Sequence, residues 1–442
     1  MNRNQVFRIS AIILITGLSA QRQQAAESRR LTLTEAVQLA IKQNHALKIA
    51  RLKVFENEQK KAGERSAYFP SITNQTSALH ITDLQSIVVP AGTFGNTTGV
   101  TLPQGQKTFF SSGTQISQPI TQLIRIRQAN AIAAAETAAS RDDLKKAENQ
   151  VALQVHTLYY GILITRLQKN AAEQQTAYAG ELLRENEDDV RNGNALKMAA
   201  IQGRAGLLES QQSVLTAQIQ LDDLSTELND LLGLPLDTKL DLNPAVPATF
   251  ELSPEKEYVQ AAWSDNPEIL AAEEAVRKAR SGVTAAKSAY IPDVTAWARE
   301  SYQDGVPFLT RNFGTVGVSL SYDIFDFGKR RAAVRERDAQ LAQAEENLQR
   351  LKDQVAVGVE KSYNKLTETR NLVRVADQVV KLRQEAERLA QNQLAHGVVL
   401  LSARRQSTAA TFKAQADYLQ ASLGYLLAWA ELEQTVGRTP GL

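Results

Sequence analysis

The sequence predicts a mainly α-helical fold with a smaller strand part, the whole written twice along the chain. Three observations carry that expectation. No proline lies between Pro119 and Pro235 or between Pro307 and Pro440, although the 442 residues hold twelve, and a proline inside a helix costs ~3 kcal/mol. One phrase recurs, SAYFP at 66–70 and SAYIP at 288–292. In TVGVSLSYDI, Val316, Val318, Leu320, Tyr322 and Ile324 alternate with Gly317, Ser319, Ser321 and Asp323, which gives a strand one apolar face and one small or polar face.

The proline-free stretches are each divided by a turn-like glycine, Gly193 in RNGNAL and Gly397 in AHGVVL. Each therefore reads as a long outgoing helix, a tight tip and a returning helix. The outgoing helices, at about 124–192 and 329–395, would each reach roughly 100 Å at 1.5 Å per residue. In the second, Leu341, Leu348 and Val355 step by seven, and Val359, Leu366, Val373 and Val380 step by seven after a stutter of four. That spacing is of the coiled-coil kind, and helices this long exceed the ordinary globular range.

The repeat extends well beyond its five-letter phrase. Tyr68 and Tyr290 lie 222 positions apart, as do AVQLAIKQN at 36–44 and YVQAAWSDN at 258–266. Gly113 and Gly317 lie 204 apart, as do Val151 and Val355, Val155 and Val359, Tyr159 and Tyr363, Gly193 and Gly397, and Gly233 and Gly437. The halves thus match in their helices, and the first half carries the longer loop, placed between the SAY phrase and Gly113. Pro70 and Pro292 mark where a helix hands over to a strand. Strand-like sequence follows at about 72–84 and 108–120 in the first half and around WARESY and TVGVSLSYDI in the second. Four strands cannot close a barrel, which needs about eight, so other protomers or a soluble sandwich must cover the edges.

Arg3 and Arg8, an apolar run from Ile9 to Leu18 and the small Ala20 have the layout of a secretory signal peptide over 1–20. A buried N-terminal helix is the plainer alternative. The first repeat is then 31–235, a Pro-rich linker 236–255 and the second repeat 256–438. Removing the leader takes two arginines from 50 bases against 48 acids, so the mature chain is formally neutral and nucleic acid is not an expected partner. With no cysteine, disulfides, thiolate metal sites and a lipid-anchored N-terminus are excluded. No later stretch is apolar over ~18 residues, so no membrane helix is expected after the leader.

His45, His80, His156 and His396 fall on separate segments without a second histidine at ligand spacing, and read as surface or helix-face residues. No nucleophile elbow, phosphate loop or paired-carboxylate phrase appears. The chain is therefore not expected to be an enzyme or to need a cofactor or metal. A periplasmic coiled-coil scaffold or adaptor without a pore is a rival, although an adaptor has one helical hairpin, and this chain has two with matched strand pairs.

An exported, cysteine-free chain of this repeated pattern resembles the TolC-like outer membrane efflux proteins over about 31–437. The AYxP phrases, YDIFDFGKRRAAV at 322–334 with Asp326, Gly328, Lys329 and Arg330, and GNALK at the first tip carry the resemblance. It implies a trimeric α/β-barrel tunnel, built from a tandem repeat of long coiled-coil hairpins and β-hairpins, with a membrane β-barrel of roughly twelve strands. It implies an outer membrane of the Gram-negative type, helices crossing the periplasm, and a passive exit duct for substrates from an inner-membrane pump. A periplasmic adaptor would dock at the tips, where the matching residues are Gly193, Leu196, Gly397 and Leu400. The periplasmic entrance would fall at Ser402, Arg404, Arg405 and Gln406, and Val316, Val318, Leu320, Tyr322 and Ile324 would form a lipid-facing strand. Two departures stand out. ISQPITQLIRIR lacks the Asp and Gly of the second-half phrase, and LSARRQST carries two arginines where family members often place acids.

Overall fold

The structure, a computed structural model, describes residues 29–95, 97–103, 105–243, 252–305 and 310–441. The leader-like segment 1–20 and the centre of the Pro-rich linker lie outside them. The first half runs β1 (Arg29–Leu31), α1 (Leu33–Gln43), α2 (His45–Ser66), β2 (Ser71–His80), β3 (Ser86–Val89), β4 (Val100–Pro103), β5 (Thr108–Pro119), α3 (Leu123–Arg191), α4 (Lys197–Leu232) and β6 (Leu240–Leu242). The second runs α5 (Glu255–Asp265), α6 (Pro267–Lys287), β7 (Asp293–Asp304), β8 (Asn312–Ser321), α7 (Lys329–Ala395) and α8 (Leu401–Val436).

Local chemistry sets these limits. Thr32 and Glu35 form a capping box on α1, satisfying two of the orphan N–H groups at its start. Asn44 caps α2 and Asn266 caps α6, where Pro267 occupies the first turn, the position at which a missing N–H costs nothing. Both SAY phrases end their helix and release the chain into a strand within a few residues, the second through a 3₁₀ turn at Ser288–Tyr290.

The four main strands form one antiparallel sheet in the order β2-β5-β7-β8. Ser71 lies opposite Ser117 in the first hairpin and Asp293 opposite Ser321 in the second. These two pairs are related by the same offsets of 222 and 204 that the sequence shows, so both hairpins share one register. The longer first-half loop contains the small β3–β4 hairpin.

The strand at TVGVSLSYDI is shorter than its alternation suggests, for β8 stops at Ser321 and leaves Tyr322 and Ile324 outside it. The reason is topological. β7 begins at Asp293, the partner of Ser321, and among the described residues β8 has no neighbour on its other side. Beyond Ser321 the backbone turns: Asp326 accepts hydrogen bonds from the Gly328 and Arg330 N–H groups, and the Arg330 guanidinium lies 4.8 Å from the Tyr322 ring centre.

The core sits halfway along the helices, where α1, α5, β1, β6 and the distal ends of α4 and α8 wrap the middles of α3 and α7. Tyr159, Ile162, Leu228, Val359, Leu366 and Leu432 are buried there. The Tyr159 hydroxyl reaches the Leu31 and Asn243 carbonyls at 3.0 and 2.9 Å, tying α3 to the ends of the short parallel β1–β6 pair. Asn44 Nδ2 donates to the Leu231 carbonyl at 3.3 Å and Asn266 Nδ2 to the Thr435 carbonyl at 2.8 Å, one bond made twice at the two offsets. At Gly437, with φ of 107°, a Cβ would collide with the Asp265 carbonyl, so only glycine closes this joint.

On α7 the heptad residues Val355, Val359 and Leu366 are buried, and Leu341, Leu348, Val373 and Val380 are half-buried. From Val355 onward this face lies along α8, its hairpin partner, whereas Leu341 and Leu348 lie at the level of α6. The helices α3 and α4 pair likewise, and α3 also packs on α8, joining the two hairpins.

Candidate functional site

The sheet has two unlike faces. Val316, Val318 and Leu320 on β8 share one side with Ala298, Ala296 and Val294 on β7, Ile116 on β5 and Ile72 on β2. The three β8 residues are 86, 69 and 68% exposed. Further along the same face come Glu300 beside Thr114, then Tyr302, whose ring meets Phe110 edge-on at 6.0 Å. The eight steps from Val294 to Tyr302 span roughly 26 Å at ~3.3 Å each, close to the height of a membrane barrel's apolar band. At the helix end, Phe325 and Phe327 stack edge-on at 4.6 Å, both exposed.

The opposite face is concave and polar, with Ser111, Gln115, Thr295, Arg299, Thr315 and Ser319 among its lining residues. Gly113 and Gly317, a matched pair of the repeat, make room on it. A Cβ at Gly113 would come within 2.6 Å of the Arg299 guanidinium, and one at Gly317 within 2.8 Å of the Trp297 ring. Both bulky side chains thus lie flat on the wall. Among the described residues no helix is long and apolar enough to cross a membrane.

At the other end the two hairpins turn identically. Gly193 and Gly397 have φ of 77° and 69°. The Asn194 N–H bonds the Asp189 carbonyl at 2.8 Å and the Gly193 N–H the Val190 carbonyl at 3.2 Å; Val398 and Gly397 do the same to Gln393 and Leu394 at 2.9 and 3.0 Å. This double bond pattern requires a left-handed residue, which glycine supplies without strain. Leu196 and Leu400 follow as extended residues before α4 and α8. They are 80 and 66% exposed, so neither packs into its own turn.

Of the entrance residues, Ser402 is buried, Arg404 and Arg405 are half-buried and Gln406 is exposed. The Arg404 Nε donates to Gln391 Oε1 on α7 at 2.9 Å. The Ser402 N–H, one of the orphan donors at the start of α8, bonds Glu185 Oε1 of α3 at 3.0 Å, and the Thr408 hydroxyl donates to Glu387 of α7 at 2.8 Å. Acidic side chains therefore do stand at this level, brought by neighbouring helices. Sequence reasoning missed Glu185, 217 positions from its partner, because no local signal marks it.

His45, His80 and His396 are exposed, whereas His156 is buried beside Tyr160. Burial pushes the His156 imidazole down to about 4, and the Pro440 carbonyl offsets this only in part. No group of acids and histidines suited to a metal occurs among the described residues.

An open sheet with an apolar and a polar concave face, set on helical hairpins whose outgoing helices α3 and α7 reach about 100 Å, defines a wall segment of a membrane duct. The family profile "Outer membrane efflux protein" matches residues 36–234 and 258–438. Outer membrane efflux protein BepC of Brucella suis biovar 1 is 25% identical over 82% of this chain and 75% of its own. Alkaline protease secretion protein AprF of Pseudomonas aeruginosa is 23% identical over 69% of this chain and 64% of its own. The CmeC outer membrane channel of Campylobacter jejuni superimposes with a TM-score of 0.72 over 92% of this chain and 85% of its own, at 17% identity. The chain belongs to the outer membrane efflux protein family. It is an outer membrane channel of the efflux or secretion type, not an enzyme, and its helices extend into the periplasm. The family's channels are trimers that work with adaptor and pump partners.

Proposed function

We propose that the mature chain, with segment 1–20 removed and the repeats 31–235 and 256–438 retained, forms a homotrimer that serves as the passive exit duct of a tripartite system. The observation that carries this reading is the open sheet: among the described residues β2 and β8 are both edges, and an unpaired edge beside an apolar face is not stable in lipid. Three such sheets give twelve strands, enough for a closed wall. Val316, Val318 and Leu320 then meet outer-membrane lipid, Tyr322 and Ile324 continue that surface below the strand, and the Ser- and Thr-rich concave face lines the lumen.

The periplasmic adaptor docks at Gly193, Leu196, Gly397 and Leu400. Two matching tips per copy give six equivalent points in a trimer, which suits a ring of adaptor hairpins, and the exposure of both leucines supports a covered apolar contact. Ser402, Arg404, Arg405 and Gln406 form the narrow periplasmic entrance, where the arginines favour anions. An inner-membrane pump delivers the substrate to this end.

The test is the mass and conductance of the particle extracted from outer membranes. A detergent-dependent trimer that conducts ions across a planar bilayer is expected. A monodisperse monomer in plain buffer, the behaviour of a pore-free periplasmic scaffold, would refute the reading.

A further inference from the structure

Where the sheet hands over to the long helices, cations outnumber acids. The junction comprises 63–70, 120–129, 284–293 and 322–335, which hold the ends of α2 and α6, the starts of α3 and α7 and their links to the sheet. It contains eight lysines and arginines against four acids, in a chain whose totals are 50 and 48. Four of the eight recur at the repeat offsets. Arg65 and Lys287 lie 222 apart at the ends of α2 and α6, and Arg127 and Arg331 lie 204 apart near the starts of α3 and α7. Asn130 Nδ2 donates to the Glu64 carbonyl at 3.0 Å, and the Arg330 guanidinium lies 5.5 Å from the Tyr290 ring centre, so both pairs stand at one level beside the sheet.

We propose that Arg65, Arg127, Lys287 and Arg331 form a collar that holds the headgroup phosphates of anionic phospholipids in the periplasmic leaflet of the outer membrane. The collar rests on the duct reading above for its depth. With Val316, Val318 and Leu320 in lipid and the helices in the periplasm, the residues between them lie at headgroup height.

Three observations favour lipid phosphate over bulk water around these side chains. First, all four are exposed, and among the described residues none forms an ion pair. The nearby acids are taken elsewhere, Asp293 by Arg125 and Asp326 by Arg330. Second, Lys329 and Arg331 open α7 and Arg125 and Arg127 open α3, and neither first turn holds an acid. The helix dipole disfavours cations there, so the helices by themselves gain nothing from this charge. Third, Tyr68, Phe69, Tyr290, Tyr322 and Phe327 are exposed at the same junction. Aromatic rings settle at the boundary of lipid and water, where long basic side chains reach past them to the phosphates.

Phe327 is a strained member of this boundary. With φ of 51° it is, among the described residues, the one non-glycine in the left-handed region, a conformation that glycine adopts freely and a bulky side chain does not. Such strain persists only where the surroundings compensate for it. At 90% exposure the ring gains almost no burial within the copy; among acyl chains it does. Arg331, four residues on, then meets the phosphate of the lipid whose chain covers Phe327.

The test reconstitutes the particle extracted from outer membranes into phosphatidylcholine vesicles and measures its boundary population of spin-labelled phosphatidylglycerol against spin-labelled phosphatidylcholine. The parent should favour phosphatidylglycerol about fivefold at low salt, the factor that one Lys or Arg near an anionic headgroup supplies, and less as salt shortens the screening length. Arg65→Gln, Arg127→Gln, Lys287→Gln and Arg331→Gln together should cut that preference at least roughly threefold. Arg65→Lys, Arg127→Lys and Arg331→Lys together should keep it. The same loss of charge further along α7 and α8, from Lys361→Gln, Arg370→Gln, Arg374→Gln and Lys413→Gln, should leave it unchanged. No preference in the parent, or one that survives the four collar glutamines in particles still trimeric by mass, would overturn the collar and leave the duct standing. A parent that stays monomeric in plain buffer and never enters the vesicles would overturn the duct reading and the collar with it.

Discussion

Val318 and Ser319 are neighbours on β8 at the same depth and point to opposite faces, so one charge placed at each in turn tests the face assignment. Val318 sits at the centre of the exposed run Val316, Val318, Leu320, opposite the small Ala296. An arginine on the lipid face of a barrel costs roughly 2–4 kcal/mol near the bilayer midplane and less toward its edges. Because the long side chain reaches for the interface, the lower end, about 2 kcal/mol per copy, is the expected cost of Val318→Arg. That is about a thirtyfold change in the folding equilibrium of each copy, compounded over three. Ser319 faces the wet concave side, opposite Thr295, where an arginine extends into water at a cost near zero. The assay is the yield of folded trimer in outer-membrane fractions, together with folding into lipid vesicles against urea. Val318→Arg should shift the urea midpoint and deplete the trimer, with Ser319→Arg close to the parent. Equal losses, or a greater loss from Ser319→Arg, would refute the assignment of faces.

The remaining predictions concern the tips, the entrance and pH. Gly193→Val and Gly397→Val force a β-branched residue into φ values of 77° and 69°, a strain of roughly 1–2 kcal/mol each, and should abolish transport while outer-membrane abundance stays normal; export at the parental rate would remove the tips from the docking site. Replacing Arg404 and Arg405 together by alanine should move the single-channel reversal potential toward cations, and an unchanged potential would return both to solvated helix faces. His156, held at about 4 by burial, binds its proton first in the unfolded chain, whose histidine titrates near 6.5. Its contribution is complete above that pH and falls as pH drops toward 4, by up to roughly 3 kcal/mol. Thermal denaturation of His156→Leu should lose much of the pH slope that the parent shows in this window.

Much of the helical part was legible in the sequence, because its signals act within one or two turns. Two proline-free stretches bounded α3 with α4 and α7 with α8, Gly193 and Gly397 marked their tips, and the seven-residue steps from Leu341 to Val380 named the face of α7 that turns inward. The SAY phrases located both handovers to strand. The strand limits were less legible. The alternation through Tyr322 and Ile324 describes which way side chains point, but a strand persists only where a neighbour supplies hydrogen bonds, and in the single chain β8 has none beyond Ser321.

By itself, then, the sequence determined the repeated order of elements and the resemblance that this order carries, since periodicity, glycine turns and proline breaks are properties of neighbouring residues. The tertiary structure alone decided that β5 joins β7, that Glu185 closes the start of α8, that His156 is buried, and that Trp297 and Arg299 lie over Gly317 and Gly113. Each of these brings together groups from elements distant along the chain, and the choice among possible partners is made by packing and by the satisfaction of buried polar groups, which no local pattern records.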